Sequence, residues 1–521
     1  MSALVLALAL LAAPAGAAGP APRPERCVQI VETSDLHGHL VAEGEGAQKQ
    51  GGLAWLGGYL DVLRHGGDPV LLLDAGDLFQ GTLASNLSHG RAVIAAYDAL
   101  HVDAAALGNH EFDFGAEAPE ADLLSALRHR LAEASFPFLA ANVEDRATGA
   151  LPRWRHLAAS TVVQAGSLRV GVVGLANPET PSLTLRRNVA ALRFVDPVPV
   201  VVAEARKLRA AGAQLVVLLA HMGGRCEILG GRAGEESCGD GQLRRLLHAL
   251  PQGTIDVALG GHTHQPMANW IGGVPAIEAG YGDRQFGWLT ACAKPSGGLD
   301  AAASTLHAPV PVVPGATFLG HAVVENPAVA RAVAPFLARV AEEEERPLGP
   351  VLPEPLRRDY NAPSPLGSVV AEALRRYAHA DAALLNAGGL RADLPKGPLT
   401  YGELYEALPF ENVAVVATIT GAKLLELSSA LARSGHGYPQ MSGLTLEGAP
   451  GAWTGAVFAD GRRLEPGRRY RLATVDFLAA GGDGLKDAME GVPRQAVQRL
   501  EGAPVLREIV LGYLARARPG R

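Results

Sequence analysis

Gly108-Asn109-His110-Glu111-Phe112-Asp113 follows the apolar run of residues 102–107. That run reads as a buried strand, so the hexapeptide begins where the strand ends. In α/β sheets, ligands gather at such ends. The stretch offers an amide oxygen for a metal, an imidazole, and a carboxylate three residues further on that could orient the imidazole. Alone it would pass for a polar turn. Asp35-Leu36-His37, Gly76-Asp77, Ala220-His221-Met222-Gly223 and Gly261-His262-Thr263-His264 change that reading, because each follows or nearly follows another apolar run of strand character.

Working outward, residues 28–33, 69–73, 138–142, 168–174, 215–219 and 255–259 read as further strands. Asp35 and His37 stand two apart, which in an extended backbone turns them the same way. Helical periodicity marks residues 51–64, where Leu53, Leu56, Leu60 and Leu63 share a face. It recurs over 91–100, 121–134, 198–211 and 241–250. Strands alternating with helices predict a layered α/β domain, to which residues 288–292 add a strand. Residues 326–345 are helical and end in four glutamates, and Pro347, Pro350, Pro353 and Pro355 mark a linker. Beyond it the pattern restarts: helices at 366–378, 402–408 and 421–433, strands at 381–385 and 413–419, and a last strand at 470–476.

A chain of 521 residues exceeds one ordinary core, so two domains are expected. A formal charge of −7 leaves no basic footprint, which argues against nucleic-acid binding as the main role. Residues 3–13 have the length of a signal-peptide core, with Ala15-Gly16-Ala17 as a cleavage site; residues 1–19 are therefore read as a signal peptide, and export to the periplasm or medium is expected. No later stretch reads as a membrane span. Cys27, Cys226, Cys238 and Cys292 suit an exported protein with one or two disulfides. Cys226 and Cys238 flank a Gly-rich loop that a bridge would pin, and Cys27–Cys292 would then tie the start of the mature chain to a later strand.

Asp35, His37, Asp77, Asn109, His221, His262 and His264 are metal-competent side chains at the ends of five separate strands. Two adjacent divalent ions sharing one carboxylate would use all of them, as in sites that clamp both oxygens of an in-line displacement. Mixed nitrogen and oxygen donors suit Zn²⁺, Mn²⁺, Co²⁺ or Fe²⁺ and disfavour Ca²⁺.

Asp35-x-His37, Gly76-Asp77, Gly108-Asn109-His110-Glu111 and Gly261-His262-Thr263-His264 resemble the signature of calcineurin-like metallophosphoesterases. With its second half, over residues 28–515, the chain resembles the exported 5′-nucleotidase/UDP-sugar hydrolase family. The resemblance implies a four-layer α/β/β/α metallophosphoesterase domain (25–325), a bridging helix and linker (326–355), and a smaller α/β nucleotide-binding domain (356–521). It implies that Asp35, His37 and His264 hold one metal and Asn109, His221 and His262 the other, with Asp77 as bridge. His110 and Asp113 match the catalytic dyad, and water or hydroxide on the metals would be the nucleophile. In the second half, Phe410 and Phe477 match the faces that sandwich a base, Asp483 the residue that takes the ribose hydroxyls, and Asn386 and Arg391 contacts to polar parts of the substrate. One segment departs from the family. Where an Arg precedes Glu-x-Asn-Leu-Gly, this chain reads Arg357-Arg358-Asp359-Tyr360-Asn361-Ala362-Pro363-Ser364-Pro365-Leu366-Gly367. The implied activity is phosphate release from nucleoside 5′-monophosphates, with UDP-sugar or 2′,3′-cyclic nucleotide hydrolysis as alternatives on the same site. A different class of reading is a catalytically silent nucleotide-binding surface protein.

Overall fold

Strand Cys27–Thr33 lies at the centre of the first domain, and all of its residues are buried. In the computed structural model, which describes residues 26–44, 46–117, 122–500 and 503–516, it pairs parallel with Val70–Asp74 and antiparallel with Gln285–Cys292. Ala104–Ala106, Phe138–Leu139 and Leu157–Ala158 extend this sheet on one side, and Thr305–Leu306 on the other. A second sheet has Leu168–Leu175, Leu215–Ala220, Val257–Leu259 and Val274–Glu278 parallel at its centre. Ser160–Ala165 and Met267–Ile271 run antiparallel at its edges.

Alternate residues of a strand point to opposite faces. Val28 and Ile30 therefore meet Val172 and Val217 of the other sheet in one apolar layer. Val31 and Leu72 face helices Leu53–His65 and Arg91–Leu100. Val216 and Leu218 face Pro197–Ala210 and Gln242–Ala249. The result is the four-layer α/β/β/α arrangement. Burial on both faces is why these strands read as unbroken apolar runs.

Both expected disulfides are present: Cys27–Cys292, between directly paired residues of neighbouring strands, and Cys226–Cys238 across the Gly-rich loop. Helix Pro327–Glu344, capped by the Asn326 side chain, packs on Leu53–His65 and Arg91–Leu100. The segment after it is not a linker. Pro347–Leu352 is a strand paired antiparallel with Gly397–Thr400, its register broken between Pro347 and Val351. Pro is tolerated at an edge with an irregular ladder, and that pattern looked like a spacer in the sequence.

The second domain has a five-stranded sheet in the order Pro439–Ser442, Ala382–Asn386, Arg469–Val475, Ala414–Thr420, Val497–Arg499. Helices Pro365–Tyr377, Gly421–Arg433 and Leu506–Arg516 join its core. Arg469–Val475 is not the last strand, because the short, exposed Val497–Arg499 follows it. The helix expected over 121–134 is Ser125–Glu133 among the described residues. Residues 1–19 lie outside them. Among the described residues, no helix is long and apolar enough to cross a membrane.

Candidate active site

Five strand ends of the first domain converge, but their backbone there is not extended. Asp35, His37, Asp77, His262 and His264 have φ of 52°, 49°, 60°, 83° and 57°. The left-handed region costs an L-residue roughly 1–2 kcal/mol, and such strain gathers at functional sites. The amides of Asp35 and His37 bond to the carbonyls of Gly76 and Asp77, which locks the first two turns together. Gly108 is needed for the third: a Cβ there would lie 2.2 Å from Asp77 Oδ1.

Asp77 is the hub. Its Oδ2 lies 3.0 Å from His221 Nε2 and 3.9 Å from His37 Nε2, and its Oδ1 accepts from the His110 amide at 2.8 Å. His37 Nε2 is 3.0 Å from His264 Nε2, which in turn is 3.5 Å from Asp35 Oδ1. Among the described residues, three groupings bring donor atoms within 4.8 Å of one another: Asp35–His37–His264, Asp77–His221–His262 and His37–Asp77–His110.

The hydrogen bonds aim lone pairs inward. His37 Nδ1 donates to the Gln80 carbonyl at 2.7 Å and His221 Nδ1 to that of Ala75 at 2.9 Å, which turns each Nε2 toward the Asp and His cluster. Asn109 Oδ1 is buried without a hydrogen-bond partner. An orphaned buried acceptor is costly, and a divalent cation would satisfy it. Burial and neighbouring histidines hold His37 well below its ordinary pKa and bring His262 to about 3 and His264 to about 4. These three are neutral, the ligating form. Burial opposes charge on His221 as well, but the carboxylate of Asp77 outweighs it and raises His221 to about 10. Cation binding there would displace a proton.

His110 differs. Its Nδ1 lies 2.5 Å from Asp113 Oδ2. Burial disfavours the imidazolium, but Asp113 and Asp77 outweigh that and raise the pKa to about 9. His110 is thus cationic at neutral pH and borders the same space.

Two carboxylates not picked out from the sequence support the turns. Glu111 accepts from the amides of Asp77, Leu78 and Gly108 at 2.9, 2.6 and 2.6 Å. Glu278 accepts from the amides of Gly224 and Thr263, both at 3.0 Å. Glu111 was in view in the central motif, but its partners at 77 and 78 become neighbours only in the folded sheet.

A cavity of about 400 Å³ lies between the domains. The first domain contributes His37, Asp77, Asn109, His110, Asp113, His262 and His264, and the second Asn386, Arg391, Phe410, Phe477 and Asp483. Asp35 and His221 lie just beneath its wall. Phe410 sits 6.5 Å from the His110 ring and Arg391 5.9 Å from the Phe410 ring. Asn386 Nδ2 donates to Asp483 Oδ2 at 2.6 Å. A Cβ on Gly482 would meet the Phe477 ring at 2.5 Å, so this glycine lets the ring lie on the backbone. Neither Arg357 nor Arg358 is among the lining residues; Arg358 bonds to Leu390 and Asp393. Tyr360 and His436 line the cavity instead.

The sequence matches the calcineurin-like phosphoesterase family over residues 28–266 and the 5′-nucleotidase C-terminal domain over residues 344–490. The chain is a member of the 5′-nucleotidase family. It is 28% identical over 527 residues to a 5′-nucleotidase of Vibrio cholerae, covering 92% of this chain and 90% of that one. It is 25% identical over 525 residues to Protein UshA of Yersinia enterocolitica, covering 93% and 90%. The crystal structure of a 5′-nucleotidase precursor from Thermus thermophilus superposes with a TM-score of 0.73 at 25% identity, covering 94% of this chain and 96% of that one. For a 5′-nucleotidase family hydrolase, the phosphoesterase fold implies divalent metals, and the Asp and His groupings described above suit them.

Proposed function

We propose that this family member is an exported, metal-dependent phosphohydrolase that releases phosphate from nucleoside 5′-monophosphates. What carries the reading is a single cavity with metal-competent groups and a cationic His110 on one wall, and aromatic, amide and carboxylate groups on the other. Two ions are proposed: one held by Asp35, His37 and His264, the other by Asn109, His221 and His262, with Asp77 shared. When bound, they would supply Lewis acidity to the phosphoryl oxygens and to the attacking water.

The protein's own groups do the rest. Phe410 and Phe477 stack the base, and Asp483, held by Asn386, takes the ribose hydroxyls. Arg391 lends positive charge to the phosphate side. His110, charged and held by Asp113, stabilises negative charge on the transferring group or protonates the leaving oxygen. Export is supported by the apolar start of the sequence and by two disulfides.

The test is hydrolysis of nucleoside mono-, di- and cyclic phosphates and UDP-sugars with Mn²⁺, Zn²⁺ or Co²⁺ added, read as free phosphate for the mono- and diphosphates and as nucleoside monophosphate for the cyclic substrates and UDP-sugars. Preference for 5′-monophosphates is expected. Preference for a UDP-sugar or cyclic substrate would move the assignment within the family, and no hydrolysis with any metal would sink it.

A further inference from the structure

Asp113 is gripped from two sides. While Oδ2 lies against His110 Nδ1, Oδ1 accepts from the Thr184 hydroxyl at 2.6 Å. Four residues on, Asn188 Nδ2 donates to the carbonyls of Phe112 and Asp113 at 2.8 and 3.2 Å. Thr184 and Asn188 are 4% and 3% exposed. Thr184 also lines the cavity, next to Leu183 and Leu185. The segment is anchored on its far side too: Arg187 Nη1 lies 3.4 Å from Asp476 Oδ2 in the second domain, one residue before Phe477.

A carboxylate with one partner can turn about its Cβ–Cγ bond. With His110 on one oxygen and a hydroxyl donor on the other, Asp113 presents a fixed plane to the imidazole. Thr184 has no acceptor role to play toward an ionised carboxylate, so its hydrogen bond defines that orientation. We propose that Thr184 is a positioning residue for the His110–Asp113 pair, acting on the reaction through Asp113. The inference rests on the phosphohydrolase reading above.

Thr184→Val keeps the shape and removes the donor, while Thr184→Ser keeps the donor. With Mn²⁺-loaded enzyme and a nucleoside 5′-monophosphate, Thr184→Val should lower kcat by about 10–100-fold, the usual loss when an orienting partner is removed. KM, bound metal and melting temperature should stay near wild type, and Thr184→Ser should recover most of kcat. Unchanged kcat in Thr184→Val overturns the inference and leaves the phosphohydrolase reading standing. A loss that Thr184→Ser does not rescue, or that accompanies loss of metal, marks a structural role and overturns it as well. A wild-type protein that hydrolyses no monoester removes the reading itself, and the inference with it.

Discussion

His110→Ala and Phe477→Ala should damage different kinetic constants, because the two side chains face the same cavity from different domains. The His110 side chain bonds Asp113, and its backbone amide, not its ring, holds Asp77 Oδ1. Alanine retains that amide, so the shared carboxylate stays in place, and Asp113 keeps Thr184. The loss then falls on the chemical step. One positioned acid–base group is worth about 10²–10⁴-fold, or about 2.7–5.4 kcal/mol of barrier. Phe477 is half-buried and rests on Gly482. Losing one stacking face costs about 1–3 kcal/mol, which predicts KM raised by roughly 5–150-fold. Phe410 is the less selective probe, since its ring lies 6.5 Å from that of His110. The assay is steady-state hydrolysis of a nucleoside 5′-monophosphate and of a small aryl phosphate with no base to stack. His110→Ala should lower kcat on both, and Phe477→Ala should raise KM on the nucleotide alone. Equal damage to both substrates by Phe477→Ala would make Phe477 a core residue and refute the division of labour.

Asp77→Asn should reduce both bound metal, read by elemental analysis, and activity, because Asp77 belongs to groupings on both sides of the site; full activity, or two retained ions, would count against a shared ligand. Glu111→Gln should lower the melting temperature and metal content of the loaded protein. Its amide NH₂ would confront backbone donors now facing a carboxylate, at about 1–3 kcal/mol for each partner lost. An unchanged melting temperature would refute the role of the Glu111 carboxylate in holding these turns. The pH dependence follows from His110, whose pKa in the folded protein, about 9, lies above the ordinary histidine value of 6.5. A raised histidine pKa gives stability that is complete below about 6.5 and lost as pH rises through about 9. In metal-free protein, the melting-temperature gap between wild type and His110→Ala should therefore shrink from pH 6 to pH 10; a constant gap would contradict the charged pair.

Asp, His and Asn placed just after apolar runs were legible in the sequence by themselves, because strand ends are set by local pattern and these residue types serve few purposes there. The layered α/β class followed from the same runs, and the disulfide that pins residues 226–238 from two cysteines flanking a glycine-rich loop. Long-range contacts decided the rest. Glu111 reads as one more polar residue until the parallel pairing of Val70–Asp74 with Ala104–Ala106 brings Asp77 and Leu78 onto its carboxylate. Thr184 lies 71 residues from Asp113 in a stretch with no periodic signal, so nothing local marked it. Pro347–Leu352 read as a spacer because its prolines break the usual strand pattern, and only Gly397–Thr400 makes it a strand. Left-handed backbone at Asp35, His37, Asp77, His262 and His264 was equally out of reach. Local propensity opposes it, and it persists because hydrogen bonds between turns from distant parts of the chain hold it there.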